Sequence, residues 1–536
     1  MILLWYHVGI IKNEIDTNMG ALKLYWEDVV SKKRFYLPLL FFSIVGYSFS
    51  IYNRTVGIDD FTREVNLGSG NRMLSGRWGM ILWNKLVGIT VALDPFIDRF
   101  LALVFLILAA ILLCYILYII CGNKRIISYT ITASIFITYP LINSIWEYTG
   151  ADFVLTGNLC LVTLAAIVLR LDVLSQRKVM LASLLILLPM SSYESAIFYY
   201  FSLVCIMHLY EYIINKEDRF IISEWIKKNS LYLVPVIIAF ITKFIISFII
   251  NTLYDLEYTG GGSTGIAWLH DSPFHVIKCM LAFNTVKYIL TGLVYFPISV
   301  FVISLCLFVG YIFVYRGNHL VLFFLGFVVV LSLFSQSFLQ GMELEYRHAQ
   351  TISLFVAFTS FLLCTSVTNE SVLKWIYAIF LILCWHQAVY LNRILGLNNL
   401  RSDNEVALIH QIGIRISSEF DNKPVAFVGE YQKGPYITNQ ISVDENSWNG
   451  RLFYSIYDKF IAKLDRPYQY GANVNSVLKI FQLKECLNYF GYNVELVDDK
   501  TYMEANKVAI KNKMKPYQIY DNGNFLIVNL GDILCK

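Results

Sequence analysis

Charge is scarce along this chain: Asp, Glu, Lys and Arg make up 15% of its residues while 57% are hydrophobic. Soluble domains carry about 25% charged residues, so water cannot be the solvent for most of this polypeptide. The net charge is only +4, and no dense Lys/Arg tract is interleaved with aromatics, which excludes nucleic acid as a partner. Cysteine occurs ten times, mostly inside apolar runs, without Cys-x-x-Cys or Cys/His ligand spacing. That pattern excludes a zinc site and a disulfide scaffold; only Cys486 and Cys535 fall in polar surroundings where a bridge is open to them. The apolar start at residues 1–11 is followed by Asn13, Glu14 and Asp16 with no small-residue cleavage pattern. It reads as a cytoplasmic segment and not as a signal peptide. Internal repeats, low-complexity tracts and a nucleotide-phosphate loop are also missing.

Long apolar runs are what the chain has instead. A membrane-crossing helix needs about 20 mainly apolar residues, and lipid tolerates only helices or closed barrels because unpaired backbone groups are costly there. Continuous apolarity, without alternation, selects helices. The expected fold is a polytopic α-helical membrane protein with about eleven transmembrane helices, at 36–53, 96–121, 126–142, 153–171, 179–190, 196–214, 231–250, 290–315, 320–338, 351–367 and 372–391. Short cytoplasmic loops collect Lys and Arg. With residues 1–35 inside, Lys32, Lys33, Arg34, Lys124, Arg125, Arg170, Arg177, Lys178, Lys216, Arg219, Lys227, Lys228, Arg316 and Lys374 all fall on the cytoplasmic side. An odd number of spans exports the C-terminus.

Within the expected transmembrane domain, 36–392, three outer segments exceed a simple turn. Residues 54–95 contain a helix-like amphipathic run at 71–93 suited to the interface. Residues 251–286 open with Gly260, Gly261 and Gly262, a flexible stretch suited to a lid. Residues 340–348 are short and polar. From 393 to 536 polar and apolar residues mix, as in a small soluble α/β domain. Helices are expected at 405–420, 474–490 and 502–513, strands at 424–429 and 492–496, and a hairpin of 517–520 with 525–529.

Ionisable residues gather on the outer side. Asp59 and Asp60 stand together after the first span, followed by Arg63 and by Arg77 with Trp78. Glu147 and Asp152 flank the third and fourth spans, Tyr193 and Glu194 open the sixth, and Arg347 and His348 open the tenth. Lys243 lies within the seventh apolar run, where a charge costs about 2.5 to 3.5 kcal/mol on insertion scales and normally faces a polar cavity or a partner. Each residue alone also suits a solvated helix end, and Lys243 also suits snorkelling to the headgroups. Together they describe an outward pocket with carboxylates at its mouth and cations nearer the lipid. That arrangement suits glycosyl transfer from a lipid phosphate: a carboxylate takes the acceptor's proton and cations stabilise the departing phosphate. The rival readings are a transporter, whose charges should reach both faces, and a polymerase of the same kind of pathway, whose key residues should sit in a late outer loop.

Asp59-Asp60 with Arg63, Ser75-Gly76-Arg77-Trp78, Trp146-Glu147 to Asp152, Ser192-Tyr193-Glu194 and the closing Lys515-Pro516-Tyr517 to Tyr520-Asp521-Asn522-Gly523 with Phe525 to Leu530 follow one another in an order that resembles the Gtr family. Its members are serotype-converting O-antigen glucosyltransferases of the GT-C class. The resemblance implies transfer of glucose from undecaprenyl-phosphate glucose to O-antigen, or a related surface glycan, at the periplasmic face of a bacterial inner membrane. It implies an inverting reaction, with Asp59 or, preferably, Asp60 as catalytic base and Glu147 beside it. Arg63, Arg77, Trp78, Asp152, Tyr193, Glu194, Lys243, Arg347 and His348 would bind substrate. No cofactor is expected beyond the lipid-linked donor, no metal ligands are assigned, and a donor synthase and flippase of the same pathway are the expected partners. Glu194 stands where many relatives carry Gln, and the soluble tail is longer than a minimal member needs.

Overall fold

The computed structural model describes residues 20–53, 76–88, 95–122, 125–142, 152–170, 175–215, 222–254, 266–289, 296–315, 318–342, 344, 348–419, 423–431 and 480–532. A π-helical turn at Trp26–Val30 leads into α1, Lys33–Tyr52. There follow α2 (Trp78–Val87), α3 (Pro95–Cys121), α4 (Ile126–Thr138), α5 (Asp152–Arg170), α6 (Gln176–Ser192), α7 (Ser195–Asn215) and α8 (Ile222–Leu253). The second half comprises α9 (Pro273–Tyr288), α10 (Phe296–Val314), α11 (His319–Leu333), α12 (Ser335–Gln340), α13 (Gln350–Ser366) and α14 (Glu370–Glu419).

A helix occupies each of the eleven apolar runs. Among the described residues six are long and apolar enough to cross a membrane: α1, α3, α5, α7, and the apolar parts of α8 and α14. Four more helices, α4, α10, α11 and α13, are apolar but shorter. Burial sorts centre from periphery. In α5, 83% of the apolar stretch is buried inside the protein, against 11% in α8, so α5 is a core helix while α8 offers its apolar surface to lipid. The packing neighbours agree: α5 lies against α3, α6 and α7, and α13 lies against α4, α7 and α10.

Apolar side chains do not drive helices together inside lipid, so close packing and polar bonds must. Tyr47 Oη donates to the Ile137 carbonyl at 2.7 Å, Asn392 Nδ2 to that of Val45 at 3.0 Å, and Thr138 Oγ1 to Gln387 Oε1 at 2.9 Å. These bonds tie α1, α4 and α14 together. At one end of α7 the buried Glu211 takes Arg170 Nε at 2.5 Å and His208 Nδ1 at 3.5 Å.

The boundary expected at residue 393 falls inside α14, which runs unbroken from Glu370 to Glu419. The change from lipid-facing to mixed composition alters what the helix packs on without ending it. Its last turns bring Ile409, Ile412 and Ile416 onto a small sheet formed by β1 (Val425–Val428), β3 (Ile519–Asp521) and β4 (Leu526–Asn529). A short β2 (Glu430–Tyr431) pairs with β5 (Gly531–Asp532). The order is β1-β4-β3, with β1 parallel and β3 antiparallel to β4. Strand alternation divides the core: Val425, Phe427, Leu526 and Val528 face α14 and α15 (Ile480–Tyr489), whereas Ala426, Val428 and Ile527 face α16 (Asp499–Lys511). Both faces are covered, which is why β1 and β4 read as unbroken apolar runs. The hairpin stands where it was expected. The strand expected at 492–496 contributes a single bridge, Leu496 beside Val425. Cys486 is buried in this core, and Cys535 lies outside the described residues.

Candidate functional site

Two sequence motifs more than a hundred residues apart meet at one end of the bundle. The first is Gly76-Arg77-Trp78-Gly79. Gly76 has φ +69°, a left-handed conformation that glycine adopts without strain, and the turn it makes leaves Arg77 as N-cap of α2. Gly79 then lets α2 touch α6: a Cβ there would lie 2.8 Å from the Ser191 carbonyl carbon and 3.0 Å from the Leu188 oxygen. Farther along α2, Trp83 Nε1 donates to Asn158 Oδ1 at 3.2 Å, and Asn158 Nδ2 donates to Ser192 Oγ at 2.9 Å. The short helix is therefore docked onto both α5 and α6.

The second motif is Ser192-Tyr193-Glu194. Ser192 Oγ donates back to the Leu188 carbonyl at 2.7 Å, Pro189 lies in the last turn, and Tyr193 turns extended with φ −153°. Helix α6 stops, and α7 restarts two residues later. In that turn the half-exposed Glu194 carboxylate takes Lys243 Nζ of α8 at 2.7 Å, while Arg77 Nε stands 4.0 Å from its other oxygen. The Arg77 guanidinium lies over the Tyr193 ring at 5.3 Å, within cation–π range. The His348 ring stands 5.7 Å from Tyr193 on centroids.

Burial pushes the Glu194 carboxyl up, but Lys243 and Arg77 outweigh it and hold the group below the usual carboxylate range. Glu194 is thus an anion at neutral pH and a poor proton acceptor. Its effect is to hold two cations from two helices within one carboxylate's reach. Lys243 does have the partner that an intramembrane charge requires. Trp78, next to Arg77, has its indole N–H buried with no hydrogen-bond partner among the described residues.

Of the expected site residues, the fold brings together Arg77, Trp78, Tyr193, Glu194, Lys243 and His348. Asp152 stands elsewhere: it is fully buried at the start of α5, with Arg99 Nε 3.6 Å from its Oδ2. Asp59, Asp60, Arg63, Glu147 and Arg347 lie outside the described residues. Asp98 and Arg99, which fall inside the expected span 96–121, are not among the expected site residues. The signal was available, since two adjacent charges within a span already ask for partners. Among the described residues no three His, Cys, Asp or Glu side chains converge as metal ligands.

A helical membrane protein with a cationic cluster built around one carboxylate at the bundle's end is the class that fold and site define. The chain matches the family model described as glucosyl transferase GtrII over residues 48–364. That is more than half of its length and includes every candidate site residue, and the chain belongs to this family of glucosyltransferases. The whole of α14 and the sheet that follows lie beyond the matched region. No curated protein and no solved structure matches it.

Proposed function

We propose that this chain transfers glucose from undecaprenyl-phosphate glucose to O-antigen or a related surface polysaccharide. It does so at the periplasmic face of a bacterial inner membrane that it crosses eleven times, with its N-terminus in the cytoplasm and its α/β domain in the periplasm. The observation that carries this reading is the Arg77–Glu194–Lys243 cluster. A phosphodiester presented from the bilayer needs cations at the level where Lys243 leaves the apolar surface of α8, and two cations are held there by one carboxylate.

In the proposed step Asp60 takes the proton of an acceptor hydroxyl. The oxygen forms a bond to the anomeric carbon from the face opposite the leaving group, and the bond from that carbon to the phosphate oxygen breaks with its electron pair. Glucose is transferred with inversion, and polyprenyl phosphate departs. Arg77, Lys243 and Arg347 hold the charge that develops on the phosphate, which is where fixed cations act most strongly on a barrier. The reaction needs no cofactor besides the donor, and a donor synthase and a flippase would supply it.

The distribution of charge favours transfer over transport. Along α7 no Asp, Glu, Lys, Arg or His occurs between Glu194 and His208, a distance of about 20 Å at 1.5 Å per residue. The ionic clusters at its two ends are separated by apolar, thiol and hydroxyl side chains, which supply no charged path along this helix. Mass analysis of surface polysaccharide from cells with and without the protein tests the proposal. One added hexose per repeat supports it; a change in chain length without added hexose favours a polymerase, and no change in either refutes both.

A further inference from the structure

Three helix ends converge on Arg99. This residue is the fifth of α3 and is fully buried. Its guanidinium donates to the carbonyl of Ser50 at 2.8 Å and to that of Asn53, the last carbonyls at the end of α1. Its Nε lies 3.6 Å from Oδ2 of Asp152, the first residue of α5. Next to it, Asp98 accepts the backbone N–H of Phe153 at 3.2 Å. The polarity is consistent throughout. The carboxyl end of α1 carries partial negative charge and receives a cation, and the amino end of α5 carries partial positive charge and receives two carboxylates. Asp98, Arg99 and Asp152 are each no more than 1% exposed, so no sugar or phosphate reaches them. Buried charges of this kind are costly unless paired. An apolar knot would hold helix ends together without incurring that cost, so the charges call for a reason.

Chain connectivity supplies one. Asn53 immediately precedes residues 54–75, which carry Asp59, Asp60 and Arg63. Asp152 immediately follows residues 143–151, which carry Glu147. At about 3.5 Å per extended residue, Asp60 lies no more than about 25 Å of chain from Asn53, and Glu147 no more than about 18 Å from Asp152. A single guanidinium joins the residue that precedes one acid-bearing segment to the residue that follows the other. A planar fork reaches two carbonyls and a carboxylate at once, which the compact ammonium of lysine does not.

We infer that Arg99 is a positioning residue of the transferase, holding the exits of the two acid-bearing segments in register through Asp152, with Asp98 fixing the first turn of α5. This rests on the proposed assignment of catalysis to those segments. On this reading Asp152 acts on the acids through Arg99 and does not contact substrate.

The test uses the full chain in nanodiscs, with undecaprenyl-phosphate glucose and polysaccharide acceptor. Arg99→Lys and Asp152→Asn are each compared with wild type per folded molecule. Both should lower kcat at least 30-fold while the donor KM stays within threefold, and the double variant should be no slower than the slower single one. A purely structural role would reduce the yield of folded protein and leave kcat per folded molecule within threefold of wild type, which overturns the inference. A rise in donor KM with kcat unchanged overturns it equally. Amide hydrogen exchange gives a readout that does not depend on the donor. In Arg99→Lys, exchange over residues 50–53 and 152–156 should rise together at least tenfold. A rise at one end only, or at neither, removes the tie itself. If wild type transfers nothing from this donor while exchange at the two ends rises together, the donor assignment falls and the tie between the segments stands.

Discussion

Replacing Lys243 with methionine tests the cationic cluster with the least disturbance to folding. Methionine keeps an unbranched, flexible side chain one atom shorter and removes the charge, and a lysine inside an apolar helix costs about 2.5 to 3.5 kcal/mol on insertion scales. The variant should therefore insert at least as well as wild type. What it loses is one donor of a charge-assisted hydrogen bond, now made to Glu194 at 2.7 Å and proposed to be shared with the donor phosphate. Hydrogen bonds to charged groups contribute about 1.5 to 3 kcal/mol. The lysine side chain is 16% exposed and that of Glu194 45%, so water screens the site in part and the lower end of the range applies, roughly 1.5 to 2 kcal/mol. At 1.4 kcal/mol per decade this raises the donor KM about 10- to 30-fold. Initial rates against donor concentration, at saturating acceptor and equal amounts of folded protein, give the number. A donor KM within twofold of wild type, or an increase confined to the acceptor KM, would refute the phosphate role.

Glu194→Gln should leave the fold intact and remove one source of acid sensitivity. The folded-state pKa of Glu194 is lowered, so the stability it confers is fully present above about pH 4.3, the ordinary value for a glutamate. That stability is lost as pH falls through the lowered value. The difference in thermal midpoint between wild type and variant should hold constant from neutral pH to that point and shrink below it; a difference that grows on acidification would contradict the sign. Gly79→Ala should destabilise the protein by about 1 to 3 kcal/mol, the usual cost of overpacking, because the added methyl meets Ser191 and Leu188 backbone. Its melting temperature should fall and its donor KM rise together, since Arg77 moves with α2, and a lower melting temperature with an unchanged KM would separate Arg77 from the donor site. Asp60→Asn should abolish transfer while the protein inserts and accumulates normally, and wild-type modification of polysaccharide by that variant would remove the base assignment.

Hydropathy and charge bias are local quantities, and they determined much here. Every apolar run became a helix, and the β3–β4 hairpin formed around Asp521 to Gly523 because its strands and turn residues are adjacent in the chain. The motif at Arg77 and that at Glu194 were also recognisable one by one, from the types of residue they contain. Their meeting was not, because it depends on α2 docking on α6 through Gly79 and on α8 presenting Lys243 beside the α6–α7 turn. That the helix at residue 393 would run on past the change in composition was not legible for a related reason. Composition changes near residue 393, but α14 continues because each of its turns finds a new surface to pack against.

The amino-acid sequence by itself determined that this chain lives in lipid as helices and which charged residues stand outside the apolar runs, since both follow from the transfer free energies of side chains taken a turn or a span at a time. Only the tertiary structure decided which charges pair. Glu194 with Lys243 and Arg77, and Arg99 with Asp152, are joined across segments far apart in the chain, and distances of 2.7 to 4.0 Å between their atoms arise from how whole helices pack, which no local pattern encodes.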